Sequence, residues 1–283
     1  MQYYTYDQSA LRLANKDDTA NDRHFCCYSY PDPVKNTDRI STPSTVDVCH
    51  VTERYAIYFS PADDSELDIF GATVLRRRAT DAKEWLHPAL PVEFPASVCW
   101  STQSQVPSRY GFHATIKAPF TLAESQSIDQ LQQDLANFSA TQKPIPLPGL
   151  APMLTSRYHS LAFEQQPEPL RQMAAACVQQ FEPFRAPLTE ADIKRRDPSS
   201  LTPRQQDYLK QYGYPYVLDD FNFHMTLTGA TDNKNSDYLQ WLGSLYESIV
   251  KETPVLDRLS IFYQPDRNTA FVRKAEFLFG SAS

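Results

Sequence analysis

Two short stretches of the sequence place a histidine two residues before a threonine. The first contains His113 and Thr115, and the second contains His224 and Thr226. In both, a phenylalanine precedes the histidine and an aliphatic residue follows the threonine, so each reduces to Phe-His-x-Thr-aliphatic. Two histidines suit cleavage of a phosphodiester, because one imidazole can accept a proton from the attacking oxygen while the other protonates the departing oxygen.

Histidine fits both roles because its ordinary pKa, about 6.5, allows one ring to be neutral and the other protonated near neutral pH. The hydroxyls of Thr115 and Thr226 can donate hydrogen bonds to the non-bridging phosphate oxygens, where charge must be stabilised in the transition state. A single His-x-Thr is more often structural than catalytic. Two copies with the same flanks instead indicate duplicated lobes, so the pattern predicts catalytic roles for His113, Thr115, His224 and Thr226.

Both motif copies have the alternation of a strand, with apolar residues on one face and polar residues on the other. In the first copy this alternation puts Lys117 on the face of His113 and Thr115. Lys117 is therefore a candidate contact to a substrate phosphate, with a solvated lysine at a sheet edge as the alternative. His159 matches no motif and is predicted to be structural.

Five further residues near the motifs are candidate substrate contacts. Arg109 and Arg185 could each form a fork on a phosphate, or only a surface ion pair. Tyr110, Tyr214 and Tyr216 could line a groove against a ribose or base, although tyrosines beside strands commonly belong to the core. The sequence leaves both alternatives open.

The composition is that of a globular protein with a substantial core. The chain has 283 residues, of which 41% are hydrophobic, and its net charge is −7. An acidic protein is poorly suited to long nucleic acids, whose binding depends on neutralisation of phosphates by lysine and arginine. A small phosphate ester remains possible because it needs only local positive charge.

Cysteine usage and hydropathy indicate a cytoplasmic protein. The five cysteines form no Cys-x-x-Cys pair, which favours a reducing compartment over a disulfide scaffold. No apolar run approaches the length of a membrane span, and the first residues lack the basic and apolar regions of a signal peptide. We therefore expect no membrane association. Because the sequence after residue 52 contains no convincing ligand cluster, we also expect no cofactor and no metal.

Residues 1–52 are polar and aperiodic, and they are predicted to form a poorly ordered extension before a domain over 53–283. One alternative is that translation begins near Val51. Another is a zinc site, which adjacent cysteines and the lack of two knuckle-like pairs make unfavourable. Its candidate ligands would be His24, Cys26, Cys27, Cys49 and His50.

The elements that position the motifs can be read from apolar spacing. Helical spacing predicts helices over 64–78, 128–138, 167–181 and 237–250, and capping signals at Thr189 and Thr202 predict two shorter ones. Strands are predicted from Arg54 to Pro61 and over 110–117, 158–164, 221–228, 256–263 and 270–279, with loops over 88–107 and 144–152. Strands and helices mix without regular β-α-β alternation, which favours an α+β fold with antiparallel sheets.

Several segments together resemble a known family. They lie at residues 54–59, 109–120, 184–188, 201–205 and 212–229, and the similarity runs from about residue 54 to the end. On these residues the chain resembles the two-histidine (2H) phosphoesterase superfamily. Within it, the chain is most similar to the branch linked to phosphonate metabolism, a domain of unknown function found with carbon–phosphorus lyase genes.

This resemblance implies a bilobal fold with two pseudo-two-fold-related antiparallel-sheet lobes and helices on the outside. It also implies hydrolysis or transesterification of cyclic or 2′-linked ribose phosphates without a metal. For the phosphonate branch, the implied reaction is the opening of a ribose 1,2-cyclic phosphate, so that the partner would be a small phosphorylated ribose.

Two alternatives remain open at this point. One is an RNA-end 2′,3′-cyclic phosphodiesterase or 2′-5′ ligase-like enzyme, which the acidic balance disfavours unless basic residues are confined to the groove. The other is a non-catalytic module that binds a phosphorylated metabolite, although binding alone does not require two titrating histidines. The sequence predicts neither the oligomeric state nor which histidine is the acid.

Overall fold

The computed structural model describes residues 53–280 except 82, 87, 88, 97 and 231–235. The predicted extension over 1–52, with its alternative zinc site and alternative start, therefore lies outside the described residues. Within them the strands are β1 Arg54–Phe59, β2 Ala114–Phe120, β3 Ile145–Pro146, β4 Ala151–Thr155, β5 Tyr158–Ala162, β6 His224–Thr226, β7 Val255–Leu256, β8 Arg258–Gln264 and β9 Val272–Leu278.

The helices of the described residues are α1 Glu66–Leu75, α2 Trp100–Ser108, α3 Ile128–Thr141, α4 Glu168–Gln180, α5 Glu190–Arg195, α6 Pro203–Tyr212 and α7 Ser236–Ile249. The predicted capping signals are correct. Thr189 is the N-cap of α5 and Thr202 is the N-cap of α6, each with a reciprocal capping box that satisfies backbone N–H groups at the start of the helix.

Seven of the strands form one sheet in the order β4-β5-β6-β2-β1-β8-β9, and every neighbouring pair is antiparallel. Residues of β1 alternate between its two faces, as period two requires. Ile57 and Phe59 join the main core, to which α1, α3, α4 and α7 contribute buried residues. Tyr58 instead packs with Phe262 and Phe271 in a separate cluster. The prediction of an α+β fold with an antiparallel sheet is confirmed.

The two motif strands are neighbours at the centre of this sheet. Ala114 of β2 pairs with Met225 of β6, and these are the middle residues of the two His-x-Thr motifs. An antiparallel pair centred on equivalent residues has a local two-fold axis between them. Outside this pair, β1 flanks β2 and β5 flanks β6. The two predicted lobes are therefore halves of one continuous sheet.

Two segments predicted as loops contain regular structure. The segment 88–107 overlaps α2, where Trp100 stacks on Phe94 and its indole N–H donates to the carbonyl of Val74 at 2.8 Å. These contacts stabilise a helix that its proline and polar residues did not indicate. The crossover 144–152 includes β3 and the start of β4, because pairing with β7 and β5 supplies partners that local sequence does not reveal.

Candidate active site

A turn at Gly111 sets the orientation of the first histidine. Gly111 has φ +74°, a left-handed conformation that favours glycine, and its carbonyl lies 2.8 Å from Nδ1 of His113. A carbonyl oxygen can only accept, so Nδ1 must carry the proton and donate. The neutral ring then has its lone pair on Nε2, which lies 3.4 Å from the hydroxyl of Thr115.

The second histidine is held in the same way. Nδ1 of His224 lies 2.8 Å from the carbonyl of Asn222, two residues earlier in the chain. The same donor-acceptor reasoning leaves Nε2 of His224 available for chemistry. Both motifs therefore fix their imidazoles through a carbonyl at the same offset, and both present the same ring nitrogen.

The pairing of Ala114 with Met225 brings the four motif residues together. Because the strands are antiparallel, this register places the residues on either side opposite each other: His113 lies across from Thr226, and Thr115 lies across from His224. Each threonine is therefore beside its own histidine along the strand and beside the other histidine across the pair. The histidines are diagonal neighbours, a relation that separates Cα atoms by roughly 7–8 Å.

The phenylalanine before each histidine anchors its strand in the core. The ring of Phe112 lies against the backbone of Gly71 in α1, where an added Cβ would be 2.0 Å from a ring carbon. Glycine at position 71 thus makes the pocket for this ring. Phe223 packs between Phe59 and Phe163, with ring centroids 6.2 Å and 5.6 Å away.

Tyr58 covers one side of the His113 ring. The two ring centroids are 3.9 Å apart and the rings are inclined by 20°. Burial lowers the pKa of His113 to about 4; the hydrogen bond to Gly111 opposes this shift and the charge of His224 adds to it. The influence of His224 on this pKa reflects the closeness of the two rings. At neutral pH the His113 ring is therefore neutral.

A cavity of about 770 Å³ lies on this side of the sheet. Tyr58 and three of the motif residues line it, namely His113, Thr115 and Thr226. Its volume is in the range of pockets that hold small organic ligands. Residues 186–189 and two residues of α5, Asp192 and Arg195, form another part of its wall.

Four of the predicted substrate contacts also line the cavity: Arg109, Tyr110, Arg185 and Tyr214. The Arg109 side chain donates to the carbonyl of Thr269 at 3.4 Å. Tyr110 stacks on Phe271 with centroids 5.6 Å apart. These contacts leave both groups at the cavity wall.

The guanidinium of Arg185 is held by neighbours on its own side of the cavity. It pairs with Glu182 at 2.6 Å and donates to the carbonyl of Ala186 at 2.9 Å. The ring of Tyr214 lies under the guanidinium of Arg196, 4.8 Å from its centroid. Tyr216 is 48% exposed and makes an edge contact with Tyr214, outside the described lining of the cavity.

The prediction that Lys117 shares the face of His113 and Thr115 is wrong. Thr115 pairs with Tyr58, but Lys117 pairs with Ile57, because a β-bulge inserts Ile116 between the two pairs. A bulge shifts the alternation by one residue and so reverses the face of the residues beyond it. Lys117 is 2% exposed and its ammonium lies 2.8 Å from Glu182, which is a structural ion pair.

Sequence reasoning missed several residues that line the cavity. They are Tyr58, Arg54, Asp192, Arg195, Arg196 and Arg267. A sequence signal existed for Tyr58 and Arg54, because the alternation of side chains along β1 places both on the same face of that strand. The others come from loops and from α5, and no local pattern connects them with the histidines.

No group of three or more histidine, cysteine or acidic side chains suited to hold a metal occurs among the residues that the structure describes. Nor does any helix in the described part of the chain have the length and apolarity to cross a membrane. His159 is buried on β5 with its ring edge against Tyr238, at a centroid distance of 5.6 Å.

The fold and site define a protein in which two His-x-Thr strands meet at the centre of one antiparallel sheet, beside a cavity. A family model described as "Protein of unknown function (DUF1045)" matches residues 115–272, more than half of the chain. The chain belongs to this family. The match agrees with the resemblance that the two motifs carry, to the phosphonate-linked branch of two-histidine phosphoesterases.

Two curated relatives are similar to the chain, and both are named ribose 1,5-bisphosphate phosphokinase PhnN. The protein of Janthinobacterium sp. (strain Marseille) is 35% identical over 66% of this chain and 41% of its own length. That of Laribacter hongkongensis (strain HLHK9) is 29% identical over 77% of this chain and 50% of its own length. The chain thus spans half or less of the length of these relatives.

Among solved structures, the crystal structure of E. coli LigT complexed with 3′-AMP is similar at 12% sequence identity. The comparison covers 81% of this chain and 99% of LigT, with a TM-score of 0.33.

Proposed function

We propose that this protein is a cyclic phosphodiesterase that opens the cyclic phosphate of a small ribose phosphate, with His113 and His224 as the proton-transfer pair. The observation that carries the proposal is the pairing of Ala114 with Met225, which sets equivalent histidines beside one another about a local two-fold axis. Both rings are tethered through Nδ1 and keep Nε2 for proton transfer.

The environment of His113 suits the base. Burial beneath Tyr58 keeps its ring neutral near neutral pH, because it lowers the pKa to about 4. A phosphate anion bound beside the ring raises that pKa again, toward the range in which a general base is effective. His224 is then the acid.

In the proposed reaction, Nε2 of His113 accepts a proton from water as the water oxygen attacks phosphorus. The bond from phosphorus to one ring oxygen breaks, and Nε2–H of His224 protonates that oxygen. The product is a phosphate monoester with a free hydroxyl, and a proton passed back from His113 to His224 through solvent restores both rings. Thr115 and Thr226 donate to the non-bridging oxygens, since each lies between the two histidines.

The relatives support a ribose phosphate as the substrate class. Both carry a name that refers to ribose 1,5-bisphosphate, and this chain matches a part of each of them. The resemblance to the phosphonate-linked branch points to a ribose 1,2-cyclic phosphate within that class. The protein would then act in phosphonate metabolism.

The test is a panel of cyclic phosphates, incubated with the protein in EDTA and followed by phosphorus NMR. The panel contains ribose 1,2-cyclic phosphate, 2′,3′-cyclic nucleotides and an RNA with a 2′,3′-cyclic end. We expect turnover of the ribose compound, and His113→Ala and His224→Ala should each lower kcat by about 100-fold or more. His159→Gln, which replaces a buried histidine of β5, is the matched control and should retain kcat.

Three results would contradict the proposal. Near-normal kcat in His224→Ala would mean that the second motif is structural. Loss of turnover in EDTA that zinc restores would require a metal site. Preference for the RNA end over the ribose compound would favour an RNA-processing enzyme.

A further inference from the structure

We propose that the cavity contains a second anion subsite, formed by Arg54, Arg195 and Arg267, which binds a phosphate monoester on the same substrate molecule. The reacting cyclic phosphate would lie at the histidines and the second phosphate at the arginines. The identity of the substrate as a sugar phosphate rests on the proposed function.

The charge of the cavity is opposite to that of the whole chain. The chain has a net charge of −7, yet the described residues that line the cavity include six arginines and a single carboxylate, Asp192. In an acidic protein, such a concentration of cations in one concave surface favours an anionic ligand by focusing its field there.

Three of the six arginines have partners outside the group formed by Arg54, Arg195 and Arg267. Arg185 pairs with Glu182, Arg196 lies over the ring of Tyr214, and Arg109 donates to a backbone carbonyl. Arg54, Arg195 and Arg267 also have partners, but these three lie close together: Arg195 and Arg267 meet at Asp192, and the charge of each lowers the pKa of Arg54.

Their convergence leaves positive charge uncompensated. Arg195 and Arg267 both pair with the same oxygen of Asp192, the latter at 2.7 Å. Arg54 donates to the amide oxygen of Gln264 at 2.8 Å, which is a neutral partner. Two guanidinium groups therefore share one carboxylate, and the third, Arg54, is paired with a neutral group.

The electrostatics of Arg54 show how close these cations are. Its pKa is lowered by burial and then by repulsion from Arg267, with a smaller contribution from Arg195. Holding like charges together in a partly desolvated site is unfavourable unless an anion joins them. A phosphate monoester supplies up to two negative charges and several acceptor oxygens, which match planar guanidinium forks better than a single carboxylate does.

The subsite lies at a distance from the histidines that fits one small molecule. Arg54 and Tyr58 lie on the same face of β1, four residues apart, which corresponds to about 13 Å along a strand. Tyr58 stacks on His113, and arginine side chains extend several ångströms toward a ligand. Since the same cavity contains both ends, a sugar with a cyclic phosphate at one end and a monoester at the other would span it.

The kinetic test compares a ribose cyclic phosphate with and without a second phosphate on its primary hydroxyl. Arg267→Gln and Arg195→Gln should lower kcat/KM for the doubly phosphorylated substrate by about tenfold or more, the effect of losing one charge-assisted hydrogen bond. For the singly phosphorylated substrate the change should be less than about twofold. Both side chains are partly exposed, at 43% and 51%, so these variants are expected to fold.

Arg171→Gln is the matched control, because Arg171 is an exposed arginine of α4 paired with Glu168 outside the cavity lining. It should change kcat/KM for neither substrate. Equal losses for the two substrates in Arg267→Gln, or no preference of the unmodified protein for the second phosphate, would overturn the subsite.

A binding experiment separates this proposal from the proposed function. Calorimetry with ribose 5-phosphate and with ribose would use the His113→Ala/His224→Ala protein, with and without Arg267→Gln. Binding of ribose 5-phosphate but not of ribose, lost on Arg267→Gln, would support the subsite even if no cyclic phosphate were turned over. In that case only the proposed reaction would be refuted. Turnover without such binding would refute the subsite and retain the reaction.

Discussion

Replacement of Tyr58 should raise the pKa of His113. The tyrosine ring lies 3.9 Å from the imidazole at an inclination of 20°, so it excludes water from one face of the histidine. The pKa of His113 is lowered to about 4, chiefly by burial. Tyr58→Leu would reopen part of this face to water while keeping an apolar side chain in the strand.

The size of the effect follows from the shift. A fall from about 6.5 to about 4 corresponds to roughly 3 kcal/mol of preference for the neutral ring. A tyrosine face also attracts a cationic imidazolium, but such an interaction contributes only about 1 kcal/mol. Desolvation is the larger effect, so removing the ring should raise the pKa by at least about one unit, toward 6.5.

The assay is a pH titration of histidine ring Cε1–H resonances in the folded protein, with His113→Gln to assign the signal. Tyr58→Phe is the matched control, because phenylalanine keeps the stacked ring, and it should leave the pKa of His113 within about half a unit. Circular dichroism at each pH would define the range over which every variant is folded.

Two results would refute this reasoning. If His113 of the unmodified protein titrates near 6.5, burial does not control its charge. If Tyr58→Leu lowers the pKa of His113 or leaves it as unchanged as Tyr58→Phe does, the stacked ring is not the cause of the low pKa. Tyr58→Ala would extend the series, although loss of so large a buried side chain can destabilise a protein by about 3–5 kcal/mol.

Three more outcomes are expected. The pKa of His113 is lower in the folded than in the unfolded chain, so the unfolded chain binds more protons between about pH 6.5 and pH 4. The free energy of unfolding should therefore fall by up to about 3 kcal/mol as pH decreases through that window, as measured by urea titration. Lys117→Met should destabilise by about 1–3 kcal/mol in the same assay, because it leaves half-buried Glu182 with one cationic partner fewer, yet keep kcat unchanged. Gly71→Ala should lower the melting temperature, because its Cβ would be 2.0 Å from an aromatic ring, whereas Gly243→Ala in α7, with no atom within 4 Å, should be neutral or stabilising.

The motif strands show what periodicity can predict. The apolar residues beside each histidine point into the core as alternation requires, and both Phe112 and Phe223 are buried. The register between the strands was not predictable. It depends on which residues of β2 and β6 pair, and nothing within either strand specifies Ala114 opposite Met225.

Lys117 shows where periodicity fails. The sequence predicts an unbroken alternation, but the bulge at Ile116 reverses it within two residues of Thr115. A bulge here has no marker such as glycine, and it becomes apparent only from pairing with β1. The arginines of the proposed subsite were missed for a related reason, because Arg54, Arg195 and Arg267 lie on three separate segments that only the folded chain brings together.

The two motif copies are alike in geometry and unlike in surroundings, and an acid–base pair needs this difference. If two groups with fixed roles had the same pKa, at most about one quarter of the molecules would have the base neutral and the acid protonated; a separation of two pKa units raises this fraction to about four fifths at the midpoint. Both histidines have the same tether through Nδ1. Tyr58 lies against His113, and in the equivalent half of the sheet β5 contributes the small Ser160 and Ala162 beside the second motif. Under the proposed assignment of His113 as the base, the difference in surroundings therefore arises in the flanking strands, where the two halves of the sheet differ, while the motifs themselves keep the two-fold arrangement.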